Sequence, residues 1–176
     1  MRTLLLICIT FISISCFGQE VVSQDSLTTI DQLSFMKGTW KGEGWIYVNR
    51  VKKQFTQTET ITPKVDNTLL MIDGLGYDKE EKSKVIHNAF GVISYSKEKQ
   101  AMTMISFSST GGKMENQMKL IGDKKIEWSF KNEQGGTIRF REDFSEEGVW
   151  LEKGEYSADG KNWFPFFEMR LEKQAE

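Results

Sequence analysis

Apolar side chains recur every third residue at Leu27, Ile30, Leu33 and Met36, and Thr29 with Gln32 has the capping-box spacing. This predicts two helical turns over Ile30 to Lys37, halted at Gly38. A segment that short does not stand alone in water, so its apolar side must cover something; the open end of a barrel is the expected host. After Gly38 the pattern changes to strand-length pieces with a period of two. Turn residues punctuate it at Asn49-Arg50, Pro63 to Asn67, Asp78 to Ser83, Ser96 to Lys99, Ser109 to Gly112, Gly122 to Lys124, Asn132 to Gly136, Ser145 to Gly148 and Ser157 to Asn162. These signals delimit ten strands joined by hairpins, with no crossover helix between them. The expected fold is all-β: a single ten-stranded up-and-down antiparallel β-barrel, Gly38 to Glu172, closed because closure removes the exposed edges.

Alternation sorts side chains by face. In the second strand Phe55, Gln57, Glu59 and Ile61 lie opposite the threonine-rich Gln54, Thr56, Thr58, Thr60 and Thr62, which sends Glu59 inward. In the third, Leu69, Met71, Asp73, Leu75 and Tyr77 alternate with Leu70, Ile72, Gly74 and Gly76, and the pattern does not rank the two faces. His87, Ala89, Gly91, Ile93 and Tyr95 share a face of the fourth. Further on, Ile126, Trp128 and Phe130 share a face, and Ile138 with Phe140 opposes Arg139 with Arg141. The last strand carries rings on both faces, which predicts a strand covered on one side and facing a lumen on the other.

With 39% hydrophobic and 12% aromatic residues, the 176-residue chain suits one core and one domain, residues 27–176. Arg2, the apolar run from Leu4 to Ile14 and the small residues Ser15 and Gly18 have the layout of a secretory signal peptide over residues 1–18, followed by a polar linker, 19–26. The run is shorter than the roughly 20 residues of a membrane span. An exported protein is expected, periplasmic or secreted, with acylation of Cys16 as the alternative that makes it a lipoprotein. Both cysteines, Cys8 and Cys16, fall in this leader, so disulfides and thiolate chemistry are excluded from the domain. The leader carries Arg2 and no acid, which leaves 22 Lys and Arg against 25 Asp and Glu, a net charge of −3. Scattered lysines in that balance give no case for nucleic acid as a partner.

The Gly38-Thr39-Trp40 start of the first strand, behind a short helical turn, resembles the signature of the lipocalin and fatty-acid-binding superfamily. There an arginine of the last strand commonly lies across the Trp ring, and the resemblance assigns that structural role to Arg170 with Trp40. Gln57-Thr58-Glu59, Thr68 to Tyr77, Phe90 to Tyr95, Gly154 to Ser157 and Phe166 to Met169 look like an uncharacterised family of secreted bacterial lipocalin-like (calycin-type) proteins. That resemblance implies a fold and hardly an activity. A more distant similarity is to nitrobindin, a ten-stranded barrel that holds haem through a histidine near its C-terminus. Here the single histidine, His87, is mid-chain, so haem ligation does not carry over and no cofactor is assigned.

Catalytic motifs are missing: there is no Gly-x-Ser-x-Gly, no His-Glu-x-x-His and no phosphate loop. Gly42-Glu43-Gly44 and Gly74-Leu75-Gly76 sit within strands, where they permit bending or close packing. With one histidine, a zinc site would need carboxylates for nearly every ligand. Ser157 to Trp163 resembles an Asp-box hairpin, a structural turn. The favoured function is therefore binding of a small hydrophobic or amphipathic molecule with a polar or anionic end. Its expected lining is Phe55, Met71, Tyr77, Tyr95, Met102, Met104, Trp128, Phe140 and Phe167. Glu59, His87, Arg139, Arg141, Glu155 and Glu168 are the candidates for its polar contacts, because charge among apolar strands is costly unless paired. A structural or protein-interaction barrel and a weak enzyme using Glu59, His87, Glu155 or Glu168 with Arg139 or Arg141 are the alternatives.

Overall fold

A computed structural model describes residues 27–175; the expected signal peptide, linker and Cys16 lie outside the described residues. A 3-10 helix, Ile30–Met36, is followed by β1 (Gly38–Val48), β2 (Val51–Lys64), β3 (Leu69–Asp78), β4 (Val85–Ser96), β5 (Ala101–Ser108), β6 (Lys113–Gly122), β7 (Lys125–Lys131), β8 (Thr137–Asp143), β9 (Val149–Ser157) and β10 (Phe164–Lys173). Each strand pairs antiparallel with its neighbours in sequence, and β1 also pairs with β10, so the sheet closes into a ten-stranded barrel. The expected all-β, up-and-down architecture is the one observed. Asn49 and Arg50 both take positive φ, 50° and 66°, as a two-residue hairpin between right-twisted strands requires.

The three-residue spacing at the N-terminus is the period of a 3-10 helix rather than an α-helix. It lines up Leu27, Ile30, Leu33 and Met36, all buried, on one side. Gln32 Oε1 accepts the backbone N–H groups of Thr28 (2.7 Å) and Thr29 (3.0 Å), which satisfies donors that the helix leaves open. That apolar side closes one end of the barrel. Trp40 donates its indole N–H to the Met36 carbonyl at 2.8 Å, and its ring meets Phe144 and Trp150 edge-on at 5.4 and 6.1 Å. Ile61, Leu70, Ile93, Met102, Ile126 and Leu171 complete this closed-end core. Gly42 faces inward where β10 crosses, and a Cβ there would overlap the Arg170 carbonyl.

Two packing expectations need correction. Arg170 does not lie across Trp40. In the β1–β10 register it stands opposite Glu43 and points outward to Glu146 at 3.3 Å, whereas Lys173, opposite Trp40, brings its ammonium 5.4 Å from the ring. The rings on both faces of β10 do not mark a covered outer face. A bulge between Pro165 and Phe167 turns both Phe166 and Phe167 toward the lumen, while Phe164 stays 62% exposed.

The plug is expected to carry a large share of stability. Replacing fully buried Leu33 by Ala should cost about 2–5 kcal/mol, seen as a lower urea midpoint at unchanged slope.

Candidate functional site

Above the plug the barrel is hollow. A cavity of about 970 Å³ runs from the inner face of Trp150 to the opposite end, where the β1–β2, β3–β4 and β5–β6 turns surround its mouth. Inner positions follow from strand parity: odd residues of β2 and even residues of β3, β5, β8 and β9 point in. Its walls are aromatic and aliphatic. Trp128 stacks on Phe140 at 4.3 Å and 12°, Phe55 on Phe167 at 5.7 Å and 17°, and Ile46, Ile72, Met104 and Met169 fill between them. At the mouth Val48, Val51, Ile86, Phe107 and Met114 line the cavity and remain exposed to solvent, an apolar rim around the entrance.

The structure brings seven of the sequence candidates into this cavity: Phe55, Glu59, His87, Met104, Trp128, Phe140 and Phe167. It keeps the others out. Met71 and Tyr77 fall on the outer face of β3, whose even residues Leu70, Ile72 and Gly74 take the inside. Tyr95 and Met102 pack into the closed-end core below the cavity. Arg139, Arg141 and Glu155 form an outer-wall cluster. Glu155 accepts from Arg139 Nε at 2.9 Å and Arg141 at 2.5 Å, and Arg139 lies 3.6 Å over the Trp163 ring. Glu168 points outward to Lys153 at 3.3 Å. Among the described residues no arginine lines the lumen: β8 turns Phe140 and Glu142 inward, which puts both of its arginines outside.

What stands inside instead is acidic. Glu59, Glu142 and Glu152 are all at least nine-tenths buried, and all line the cavity. Burial raises the carboxyl pKa of Glu59 to about 8, with the hydrogen bond from Gln57 (2.6 Å) opposing and the charges of Glu142 and Asp73 adding to it. Burial pushes Glu142 up to about 7, against the hydrogen bond that Trp128 donates at 2.8 Å. Glu152 is held well above the usual carboxylate range by burial, then by Glu142 and Glu59. Among the described residues two of the buried polar atoms here have no hydrogen-bond partner, Glu142 Oε2 and the indole N–H of Trp150. Among the same residues no group of three His, Cys, Asp or Glu is arranged to hold a metal ion.

Glu59 also meets the histidine. His87 Nε2 lies 3.9 Å from Glu59 Oε1, and desolvation by the barrel wall lowers the imidazole pKa although its side chain is half exposed. Gly74 makes the room: a Cβ there would come within 2.8 Å of both Glu59 oxygens and 3.0 Å of His87 Nε2. The Gly74-Leu75-Gly76 spacing thus serves the inward polar patch on β2 and β4.

Glu142, Glu152, Gln57 and Trp150 complete the site without having been candidates. Extending the Ile138-x-Phe140 alternation by one step reaches Glu142, and Trp150-x-Glu152 repeats the pattern on β9. The Ser157–Trp163 turn is structural as expected. Asp159 Oδ1 accepts the N–H groups of Lys161 and Asn162, both at 2.8 Å.

By sequence the chain matches no protein-family model and no curated protein. By structure it is similar to Rv2717c from M. tuberculosis at a TM-score of 0.60 and 13% identity, over 86% of this chain and 100% of that one. It is similar to the S-type phycobiliprotein lyase CPES from Guillardia theta at 0.57 and 11%, over 84% and 94%. A DUF3598-family protein from Nostoc punctiforme gives 0.50 and 14%, over 85% of this chain and 51% of that one. These likenesses, all at 14% identity or less, bear on the fold alone, a closed β-barrel.

A carboxyl whose folded pKa lies above its unfolded value retains a proton that the unfolded chain has lost, so its contribution is complete at low pH and is lost as pH rises toward the folded value. The empty protein should therefore lose stability between pH 4.5 and 8, by up to roughly 1.4 kcal/mol per pH unit for each carboxyl still protonated. Glu59→Gln and Glu142→Gln should each flatten that slope in urea titrations run across this range.

Proposed function

We propose that the protein is an exported carrier that reversibly binds a small, mostly apolar molecule inside its barrel. The observation that carries this reading is the cavity of about 970 Å³, open at one end and lined by stacked rings and thioethers. A volume of that order accepts a drug-sized or lipid-sized ligand, and a filled lumen would have favoured the purely structural reading. Apolar walls supply the affinity. The carboxyls and Gln57 at the inner end supply orientation, and among the described residues no arginine stands there to meet an anionic end. Export rests on the leader pattern of residues 1–18, and membership of the secreted lipocalin-like family rests on the motifs from Gln57 to Met169.

One observation favours a second reading. Glu59 and His87 form a carboxyl–imidazole pair inside the cavity, and burial shifts both toward their neutral forms, so a proton can pass between the pair and a bound molecule. Turnover of a bound ligand that His87→Ala abolishes without weakening binding would make this an enzyme.

Native mass spectrometry of protein from its own host tests the carrier and its export together. The expected result is a mature chain lacking residues 1–18, or acylated at Cys16, with a co-purifying small molecule. Trp128→Ala should weaken that molecule's binding about tenfold by removing the ring stacked on Phe140. An intact Met1 refutes export. A bare protein whose melting temperature is unmoved by fatty acids, haem, isoprenoids and long-chain amines refutes the carrier.

A further inference from the structure

We infer that the end of the ligand reaching the bottom of the cavity is an organic cation, an ammonium or amidinium with a hydrogen-bond acceptor beside it, seated between Glu142, Glu152 and Glu59. This rests on the carrier reading and names the chemistry of its ligand. Among the described residues the inner end holds three carboxyls and no lysine or arginine. Around the lumen the charged groups are Glu59 and Lys53 from β2, Asp78 from β3, Lys84 from the turn before β4, His87 from β4, Glu142 from β8 and Glu152 from β9. The lining of β1, β5, β6, β7 and β10 contributes none. Both lysines act on Asp78 at the mouth, which leaves the inner carboxyls to one another.

Two unmet hydrogen bonds define the head group from the protein's side. Glu142 Oε1 already accepts from Trp128, while the buried Oε2 has no donor among the described residues. The indole N–H of Trp150, in a residue only 4% exposed and lining the same cavity, has no acceptor. A buried donor and a buried acceptor left unpartnered on two residues that line one cavity each cost free energy that a ligand group seated against them recovers on binding. A cationic N–H satisfies Glu142, and a neighbouring hydroxyl, ether or carbonyl oxygen satisfies Trp150. The cation also replaces a proton: a carboxyl that is neutral in the empty cavity ionises when the ammonium arrives, so one proton leaves for each cation bound. An alcohol needs no such exchange, and a carboxylate adds a like charge.

Three amphiphiles of equal chain length separate these cases: 2-aminododecan-1-ol, dodecan-1-ol and dodecanoic acid, each titrated into the purified protein by calorimetry in two buffers of different ionisation enthalpy. The amino alcohol should bind tightest. It should release about one proton per molecule, and its affinity should rise by up to about tenfold per pH unit from pH 5.5, levelling off above about pH 8. Combined Glu142→Gln and Glu152→Gln should weaken the amino alcohol at least about tenfold and remove its proton release, while a single cooperative urea transition shows that the variant has folded. Equal affinity for the alcohol or the acid, or binding of the amino alcohol without proton release, overturns the cationic head group and leaves the carrier standing. Binding of none of the three overturns the inference together with the carrier reading.

Discussion

Closing ten strands into one sheet removes every edge and sends alternate side chains into a space that water enters from one end only. The pairing of β1 with β10 is the step on which this depends, and it is made possible where Gly42 lets the two backbones come together. The 3-10 helix then seals the far end through Trp40, Phe144 and Trp150. Once those constraints hold, every polar residue at an inner position meets a low-dielectric environment whether or not it has a partner.

The inner end does not follow the usual rule that buried charge is paired. The arginines that could neutralise Glu142 and Glu152 are present in β8, one residue out of phase, and they serve Glu155 on the outer wall instead. The carboxyls accordingly shift toward their neutral forms, and Glu59, Gln57 and His87 gather where Gly74 and Gly76 leave space for them. A core selected for stability alone would place apolar groups of the same volume here. Retaining three acids in an open cavity costs stability that binding a suitable ligand recovers.

Much of the architecture was legible because it is encoded locally: turn residues at each hairpin, a strict spacing of three at the plug, and the threonine face of β2 that sends Glu59 inward. The site was legible only in part, because a period of two gives membership of a face but not its direction. On β3 both faces carry large apolar residues, so Met71 and Tyr77 had equal standing with the Leu70 and Ile72 that point in. On β8 the arginines looked equally suited to a lumen until the register with Glu155 fixed them outside. Lys173 rather than Arg170 meets Trp40 for the same reason of parity, and the bulge at Pro165 defeats alternation on β10 altogether. Glu142 and Glu152 were within reach of the pattern one step beyond the residues it was applied to.

Everything proposed for the cavity depends on its carboxyls being buried, uncompensated and shifted toward their neutral forms in the empty barrel. Their titration can be followed directly from the side-chain carboxyl carbon shifts of Glu59, Glu142 and Glu152 by NMR on ligand-free protein. Midpoints near 8 for Glu59 and near 7 for Glu142, with Glu152 well above the ordinary range, are the predicted result. Midpoints of all three close to 4.5 would contradict it.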